Sequence, residues 1–275
     1  MALLHTNLFT VFDGEIILMT TSEELATCAD RLLDSANCPD YPNALNGLQM
    51  SNRKPVAGIA AAVDFSSRSI EGAVRNGANF LVVHHGMFWT GLERMVDVAY
   101  RRLRTLIEHD IAVYSSHLPL DRHPSFGNNV LLARQLGLEP SGPFARHGEI
   151  FIGVSGAADV ETATLCKRAQ EFAKSCGGEI RATTIPRDRR TKRWAICTGA
   201  GASAETLQEA AHMGIDTMIV GEGPHWTAIA AEERGLAIIY AGHYATETLG
   251  VRALAQHLGE KFDLPWSFVE APTGL

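Results

Sequence analysis

Short apolar runs alternate with amphipathic stretches along most of the chain. Runs such as NFLVV at residues 79–83 and DTMIVG at residues 216–221 have the length and aliphatic content of buried strands. Stretches such as SEELATCADRLLDSA at residues 22–36 carry apolar residues at helical spacing. The alternation predicts an α/β fold with mixed, partly parallel sheets that are covered by helices.

The predicted elements fall into two series, which we expect to form two interlocked α/β units. The stretch SGPFARHG at residues 141–148 reads as a loop and marks the passage from one series to the next. We predict one domain from residues 20–140 together with 236–275, and a second domain from residues 141–235. The first of these contains every candidate metal ligand discussed below.

Residues 1–19 form an N-terminal extension with two open interpretations. A capping box of Thr21 and Glu24 marks the start of the first helix, so these residues precede it. They are either an extension that results from translation starting upstream of Met19, or an extra strand. Asp13 and Glu15 interrupt the apolar run that a signal peptide requires, so secretion is not expected.

Composition narrows the class of protein. Hydrophobic residues make up 46% of the 275 positions and charged residues 20%, which is ordinary for a globular protein. The formal net charge of −7, without a long basic run, disfavours binding to nucleic acid. The five cysteines lack a CxxC pair, which indicates free thiols in a reducing compartment, and no apolar run has the roughly 20 residues of a membrane span. We therefore expect a cytoplasmic protein.

Side chains able to bind metals or transfer protons follow three of the predicted strands, at the point where each strand ends. In open α/β sheets, ligands bind beyond the carboxyl ends of strands, so these side chains are expected at one functional edge. They are His84 and His85 after NFLVV, His117 and Asp121 after IAVYSS, and His243 and Glu247 after LAIIYAG.

The types of these side chains predict a pair of divalent metal ions. His243 and Glu247 are four residues apart at the start of a predicted helix, which places both on one face. Imidazole and carboxylate together favour zinc, iron, manganese or cobalt over calcium or magnesium. Three histidines and two carboxylates exceed the needs of one catalytic ion, whereas two ions about 3.5–4 Å apart account for all of them. The predicted ligands are His84, His85, Asp121, His243 and Glu247.

Two further histidines are candidates for catalytic proton transfer. His117 is close enough to Asp121 to bind metal, but the interpretation we favour is that it positions a ligand or a metal-bound water. His225, in the segment VGEGPHW with Glu222, either faces the same cleft or lies on the surface, and the sequence supports both interpretations equally.

No organic cofactor-binding motif is predicted. The segment TGAGAS at residues 198–203 lacks the spacing of a dinucleotide or Walker motif, and Ser203 as a helix N-cap is favoured over a phosphate cradle. A GxSxG elbow is also missing from the sequence, which disfavours covalent catalysis by serine.

Five sequence motifs together resemble the Nif-three-like family over residues 20–258. They are NGLQM, LVVHHGMFW, SSHLPLD with GNN behind it, VGEGPH and AGHYATE. Members are dinuclear-metal proteins often called type 2 GTP cyclohydrolase I, and the resemblance places their metal ligands on the five residues predicted above. It also implies the Nif-three-like fold and a toroidal homohexamer built as a trimer of dimers.

The function expected from these observations is metal-dependent hydrolysis of a small molecule. If the family name applies, the substrate is a nucleotide and the reaction is the ring-opening hydrolysis of GTP. Two alternatives stay open: a phosphoesterase that acts on small phosphate esters, and a metal-binding hexameric scaffold or regulatory adaptor without strong turnover.

Overall fold

The computed structural model describes residues 9–12 and 15–275, with side chains from Met19 onward. Its described part contains strands and helices in alternation, and the predicted α/β class is confirmed. The strands are β1 Phe9–Phe12, β2 Glu15–Leu18, β3 Gly47–Met50, β4 Ile59–Asp64, β5 Phe80–His85, β6 Ala112–Ser115, β7 Gly142–His147, β8 Ile150–Glu161, β9 Arg181–Ala182, β10 Arg190–Cys197, β11 Thr217–Val220, β12 Ala237–Tyr240 and β13 Trp266–Phe268. The α-helices are α1 Ser22–Leu33, α2 Ser67–Arg75, α3 Asp97–Glu108, α4 Leu118–Asp121, α5 Asn128–Gln135, α6 Thr162–Ser175, α7 Ala204–Met213, α8 Trp226–Glu233 and α9 His243–Phe262.

The described chain packs into two compact units. One comprises the described residues before Asn37, with Tyr41–Ser116 and Leu254–Val269; the other comprises Asn37–Asp40, His117–Ala253 and Glu270–Leu275. The predicted domain boundaries stay predictions. Within the described residues, no helix is both long enough and apolar enough to cross a bilayer.

The first unit is built on a five-stranded sheet in the order β13-β4-β5-β6-β3. Strands β13, β4, β5 and β6 are parallel, and β3 pairs antiparallel with β6. Central β5 is buried at all six positions, which explains its uninterrupted apolar sequence before the histidines. The sheet therefore brings the carboxyl ends of β4, β5 and β6 to one edge.

The second unit is built on a six-stranded sheet in the order β7-β8-β10-β11-β12-β9. Strands β10, β11 and β12 are parallel to one another. Alternate residues of these strands enter two separate cores: Ile219 belongs to one core and its neighbour Met218 to the other. Since both faces are covered, residues 194–197 of β10, residues 218–220 of β11 and all of β12 are continuously apolar, whereas the first four residues of β10 are polar and three of them are exposed.

One sequence prediction is changed by the structure. The stretch at residues 141–148, predicted as a loop, is mostly strand β7, which forms an antiparallel hairpin with β8. Pro143 and two glycines suggested a loop, but β7 lies at the edge of its sheet, where proline is tolerated.

The described part of the N-terminal extension contains strands β1 and β2. Strands β1 and β2 pair antiparallel, so residues 9–12 and 15–18 are strand, while residues 1–8 and 13–14 lie outside the described residues. All five cysteines are free thiols, as predicted.

Candidate metal centre

The end of β5 supplies two neighbouring histidines, and the Nδ1 atom of each lies within hydrogen-bond distance of an oxygen atom. His84 is fully buried, and its Nδ1 lies 2.9 Å from the carbonyl oxygen of Ser116. The Nδ1 of His85 lies 2.8 Å from Oδ1 of Asp64, the last residue of neighbouring strand β4. The two imidazole centroids are 4.8 Å apart.

These contacts fix the tautomer of both imidazoles. A carbonyl or carboxylate oxygen only accepts hydrogen bonds, so each Nδ1 must carry the proton that it donates. In a neutral imidazole, the lone pair then lies on Nε2, which is the atom that binds metals in carboxylate–histidine–metal arrangements. His84 and His85 are therefore oriented to present Nε2 as a ligand atom.

The turn after His85 is held by the side chain of Gln49, from the NGLQM motif. Oε1 of Gln49 accepts a 2.6 Å hydrogen bond from the backbone N–H of Met87, and Nε2 donates to the carbonyls of Ala44 and Leu45 at 3.1 and 3.0 Å. A Cβ atom at Gly86 would overlap the Gln49 amide. A side chain at Gly86 would therefore displace the Gln49 amide, which connects the histidine turn to the loop before β3.

His117, after β6, has the same kind of support. Its Nδ1 lies 2.8 Å from Oδ1 of Asp40, and Oδ2 of that carboxylate accepts a 2.9 Å bond from the N–H of Leu118. His117 thus presents Nε2 in the same manner as the predicted ligands His84 and His85. This geometry supports a ligand role as well as the positioning role that the sequence favoured.

Asp121, at the end of the short helix α4, is buried and held by the GNN motif. Oδ1 of Asp121 accepts a 2.8 Å hydrogen bond from Nδ2 of Asn128. The neighbouring Asn129 donates to the backbone carbonyls of Asp121 and Ile152, and it accepts a 2.8 Å bond from the N–H of Thr198. The two asparagines therefore fix both the carboxylate and the backbone of Asp121.

His243 and Glu247 lie in the first turns of α9, and the predicted pairing of their side chains on one helix face is observed. Nε2 of His243 is 3.2 Å from Oε2 of Glu247, and Nδ1 of His243 is 2.9 Å from Oε1 of Glu222. Burial opposes the charged imidazolium, but the hydrogen bonds and charges of Glu247 and Glu222 outweigh it and raise the pKa of His243 to about 9.

The backbone of the TGAGAS segment packs directly against Glu247. Gly199 has φ +61°, its N–H donates to the hydroxyl of Thr246 at 3.1 Å, and a Cβ at this position would overlap Oε1 of Glu247. Ser203 caps α7 through a capping box with Thr206, so its interpretation as an N-cap is confirmed. Gly199 thus allows the backbone of this segment to pack closely against a candidate ligand.

His225 occupies a different environment from the other histidines. It is exposed at the start of α8 and lines a cavity of about 780 Å³ in the second unit. Glu222 and Tyr240 line the same cavity, and Glu222 also bonds to His243. The cavity therefore reaches the residue that orients a candidate metal ligand.

Several supporting residues were not recognised in the sequence. Asp64 stands at a strand end, like the predicted ligands, and this position was the available signal. Asp40 lies 77 residues from His117, in a segment without periodic pattern, and nothing in the sequence connects the two. Gln49 and Asn128 belong to recognised motifs, but their contacts depend on the fold.

The candidate ligands fit a divalent metal ion by their chemistry. In the first unit, His84 and His85 are buried; in the second unit, His117 and Glu247 are buried and His243 is half-buried. Each of these described side chains offers one nitrogen or oxygen atom that can bind a metal ion. Imidazole nitrogens with fixed tautomers, combined with carboxylates, are a mixed N/O donor set typical of transition metals. The fold and these side chains define a mixed α/β protein with a candidate metal site.

The chain belongs to the DUF34/NIF3 family, described as NGG1p interacting factor 3, whose model matches residues 20–273. It is 38% identical over 258 residues to the GTP cyclohydrolase 1 type 2 homolog of Pseudomonas aeruginosa, covering 94% of this chain and 98% of the relative. The homolog of the same name in Deinococcus radiodurans is 39% identical, with coverage of 86% and 88%.

Solved structures show the same fold. The protein ybgI, described as of unknown function, matches with a TM-score of 0.82 and 34% identity, covering 93% of this chain and all of that chain. The protein TTHA1606 of Thermus thermophilus matches with a TM-score of 0.77 and 33% identity, with the same coverage. The predicted family and fold are therefore confirmed.

Proposed function

We propose that this protein is a metal-dependent hydrolase that binds two divalent metal ions through His84, His85, Asp121, His243 and Glu247. The observation that carries the proposal is the fixed orientation of the three histidines: each Nδ1 lies within hydrogen-bond distance of an oxygen acceptor, which makes Nε2 the nitrogen that would bind metal. Zinc, iron, manganese and cobalt all suit this donor set.

The protein residues around the ions have distinct tasks in this proposal. Two metal ions held by these residues would supply Lewis acidity at the bond under attack. Asp64 and Glu222 hold the imidazoles of His85 and His243, and Asn128 holds the carboxylate of Asp121. His225 is exposed and lines the cavity beside Glu222, which supports the proposal that it transfers a proton to or from a molecule bound there. His117 is the second candidate for proton transfer.

The cavity of about 780 Å³ is the proposed substrate site, because a space of this size accommodates a molecule as large as a nucleotide. The relatives are named as homologs of a GTP cyclohydrolase, which suggests GTP as the substrate. The reaction we propose is hydrolysis that opens the imidazole ring of the purine and releases formate. Incubating metal-loaded protein with GTP and measuring formate tests this. We expect His225→Ala to lower the rate by about 100-fold, as for loss of a general acid or base, and His212→Ala, an exposed histidine on α7, to have no effect.

Two other functions give different results in the same assay. A phosphoesterase releases inorganic phosphate instead of formate and is supported by the suitability of paired metals for phosphoester hydrolysis. A metal-binding scaffold or adaptor releases neither product, although it binds metal with the same residues. Absence of formate from GTP with fully metallated protein would contradict the GTP cyclohydrolase proposal.

We also propose that the protein self-associates in the cytoplasm, as a homohexamer arranged as a trimer of dimers. Helix α3 buries only Leu106 among its residues, while Val98, Tyr100 and Ile107 are exposed. Large exposed apolar side chains concentrated on one element support an interface between subunits. Light scattering of the wild type, Tyr100→Glu and Ile107→Glu tests the proposal by measuring molar mass. A hexamer mass for the wild type and a smaller mass for the variants is expected, and the mass of a monomer for all three proteins would contradict it.

A further inference from the structure

Asn128 is a buried bridge between a candidate carboxylate ligand and the helix that carries another. Its side chain is fully buried, and its Nδ2 donates to Oδ1 of Asp121 at 2.8 Å. Its Oδ1 accepts a 2.7 Å hydrogen bond from the backbone N–H of Gly250 in α9. One amide group therefore joins Asp121 to α9.

The position of Gly250 connects this bridge to Glu247. Residues three apart on a helix lie on neighbouring positions of one face, so Gly250 and Glu247 lie on the same side of α9. A Cβ at Gly250 would be 2.7 Å from Oδ1 of Asn128, which is closer than side chains normally pack. Glycine thus allows the asparagine to bind the helix backbone directly, with no intervening side chain.

We infer that Asn128 is a positioning residue that fixes the separation between the carboxylates of Asp121 and Glu247. The inference rests on the proposed metal binding by both carboxylates. Two metal ions that share a site are only about 3.5–4 Å apart, so a small change in the separation of their ligands alters how both ions are held. Asn128 therefore determines whether the second ion binds as tightly as the first.

Asparagine is the residue that satisfies both ends of this bridge. The carboxylate of Asp121 only accepts hydrogen bonds and the N–H of Gly250 only donates, while an amide has one donor end and one acceptor end. The substitution Asn128→Asp would keep the bond to Gly250 but place two carboxylates together, which raises electrostatic repulsion. This substitution therefore separates the positioning of Asp121 from the anchoring of α9.

The test titrates metal-free wild type, Asn128→Ala and Asn128→Asp with cobalt(II), following the absorption spectrum and the number of ions bound. Thermal unfolding of each metal-free variant is measured in parallel. Asn79→Ala is the control, because the amide of Asn79 also forms a two-ended bridge, in its case between the backbone N–H of Ala57 at 2.7 Å and the carbonyl of Pro55 at 2.9 Å, and neither partner is a candidate ligand. Gly250→Ala is a second test variant, which displaces Asn128 without replacing it and retains good helix propensity.

We expect the Asn128 variants and Gly250→Ala to bind the second ion about 10–100-fold more weakly and to change the cobalt spectrum. Asn79→Ala should lose stability with its metal binding unchanged. Wild-type affinity for both ions in folded Asn128→Asp and Gly250→Ala would overturn the inference while leaving the proposed metal site intact. Failure of the wild type to bind metal would overturn both.

Discussion

The carboxylate of Asp64 lies 2.8 Å from Nδ1 of His85, at the ends of two neighbouring parallel strands. Replacing Asp64 with Asn weakens the acceptor and frees the imidazole to change tautomer. We expect Asp64→Asn to lower metal affinity by about 10–100-fold, as for other residues that orient a histidine ligand. Isothermal titration with zinc measures this, with the exposed Glu71→Gln as a control. Equal affinities in the two variants would show that Asp64 does not orient His85.

Comparing substitutions at Gly199 and Gly214 separates the cost of backbone strain from the cost of overlap with Glu247. Gly199 and Gly214 both have positive φ, of 61° and 64°, but a Cβ at Gly199 would overlap Glu247 whereas Gly214 has open space around it. Gly214→Ala should cost about 1–2 kcal/mol of stability from backbone strain. Gly199→Ala should cost more and also weaken metal binding. Urea unfolding and metal titration of both variants check this, and equal effects on both readouts would contradict it.

Gln49 and Gly86 should behave as a coupled pair. Gly86→Ala introduces a methyl group that overlaps the Gln49 amide, so it should destabilise the wild-type protein. In a Gln49→Ala background the overlap is gone, and the added cost of Gly86→Ala should fall by about 1–3 kcal/mol. A double-mutant cycle of unfolding free energies measures the coupling. If the costs in unfolding free energy are additive, the close packing of Gly86 against Gln49 does not affect stability.

The metal-free protein should lose stability at alkaline pH through His243. Its pKa in the folded chain is about 9, above the ordinary value of 6.5. A group whose pKa is raised on folding contributes stability that is fully present below pH 6.5 and is lost as the pH rises through 9. Unfolding of EDTA-treated wild type and His243→Gln between about pH 6 and about pH 10 tests this. The difference between them should shrink as the pH rises, and a constant difference would contradict the assignment.

The sequence predicted the α/β class and the strand-end positions of the candidate ligands because buried strands and their polar ends have local signals. It did not predict β7, since Pro143 at a sheet edge resembles a loop until the pairing with β8 is known. Asp40 could not be assigned to His117 from the sequence, because a contact across 77 residues depends on the fold. The polar residues that orient the ligands were therefore harder to predict than the ligands themselves.

The central claim is that His84, His85, Asp121, His243 and Glu247 bind two divalent metal ions. Elemental analysis of freshly purified wild type, beside His85→Ala and Glu247→Ala, tests it most directly. We predict about two equivalents of metal per chain in the wild type and a clear loss in both variants. No metal in the wild type after incubation with zinc, iron, manganese or cobalt, or the same metal content in all three proteins, would contradict the account.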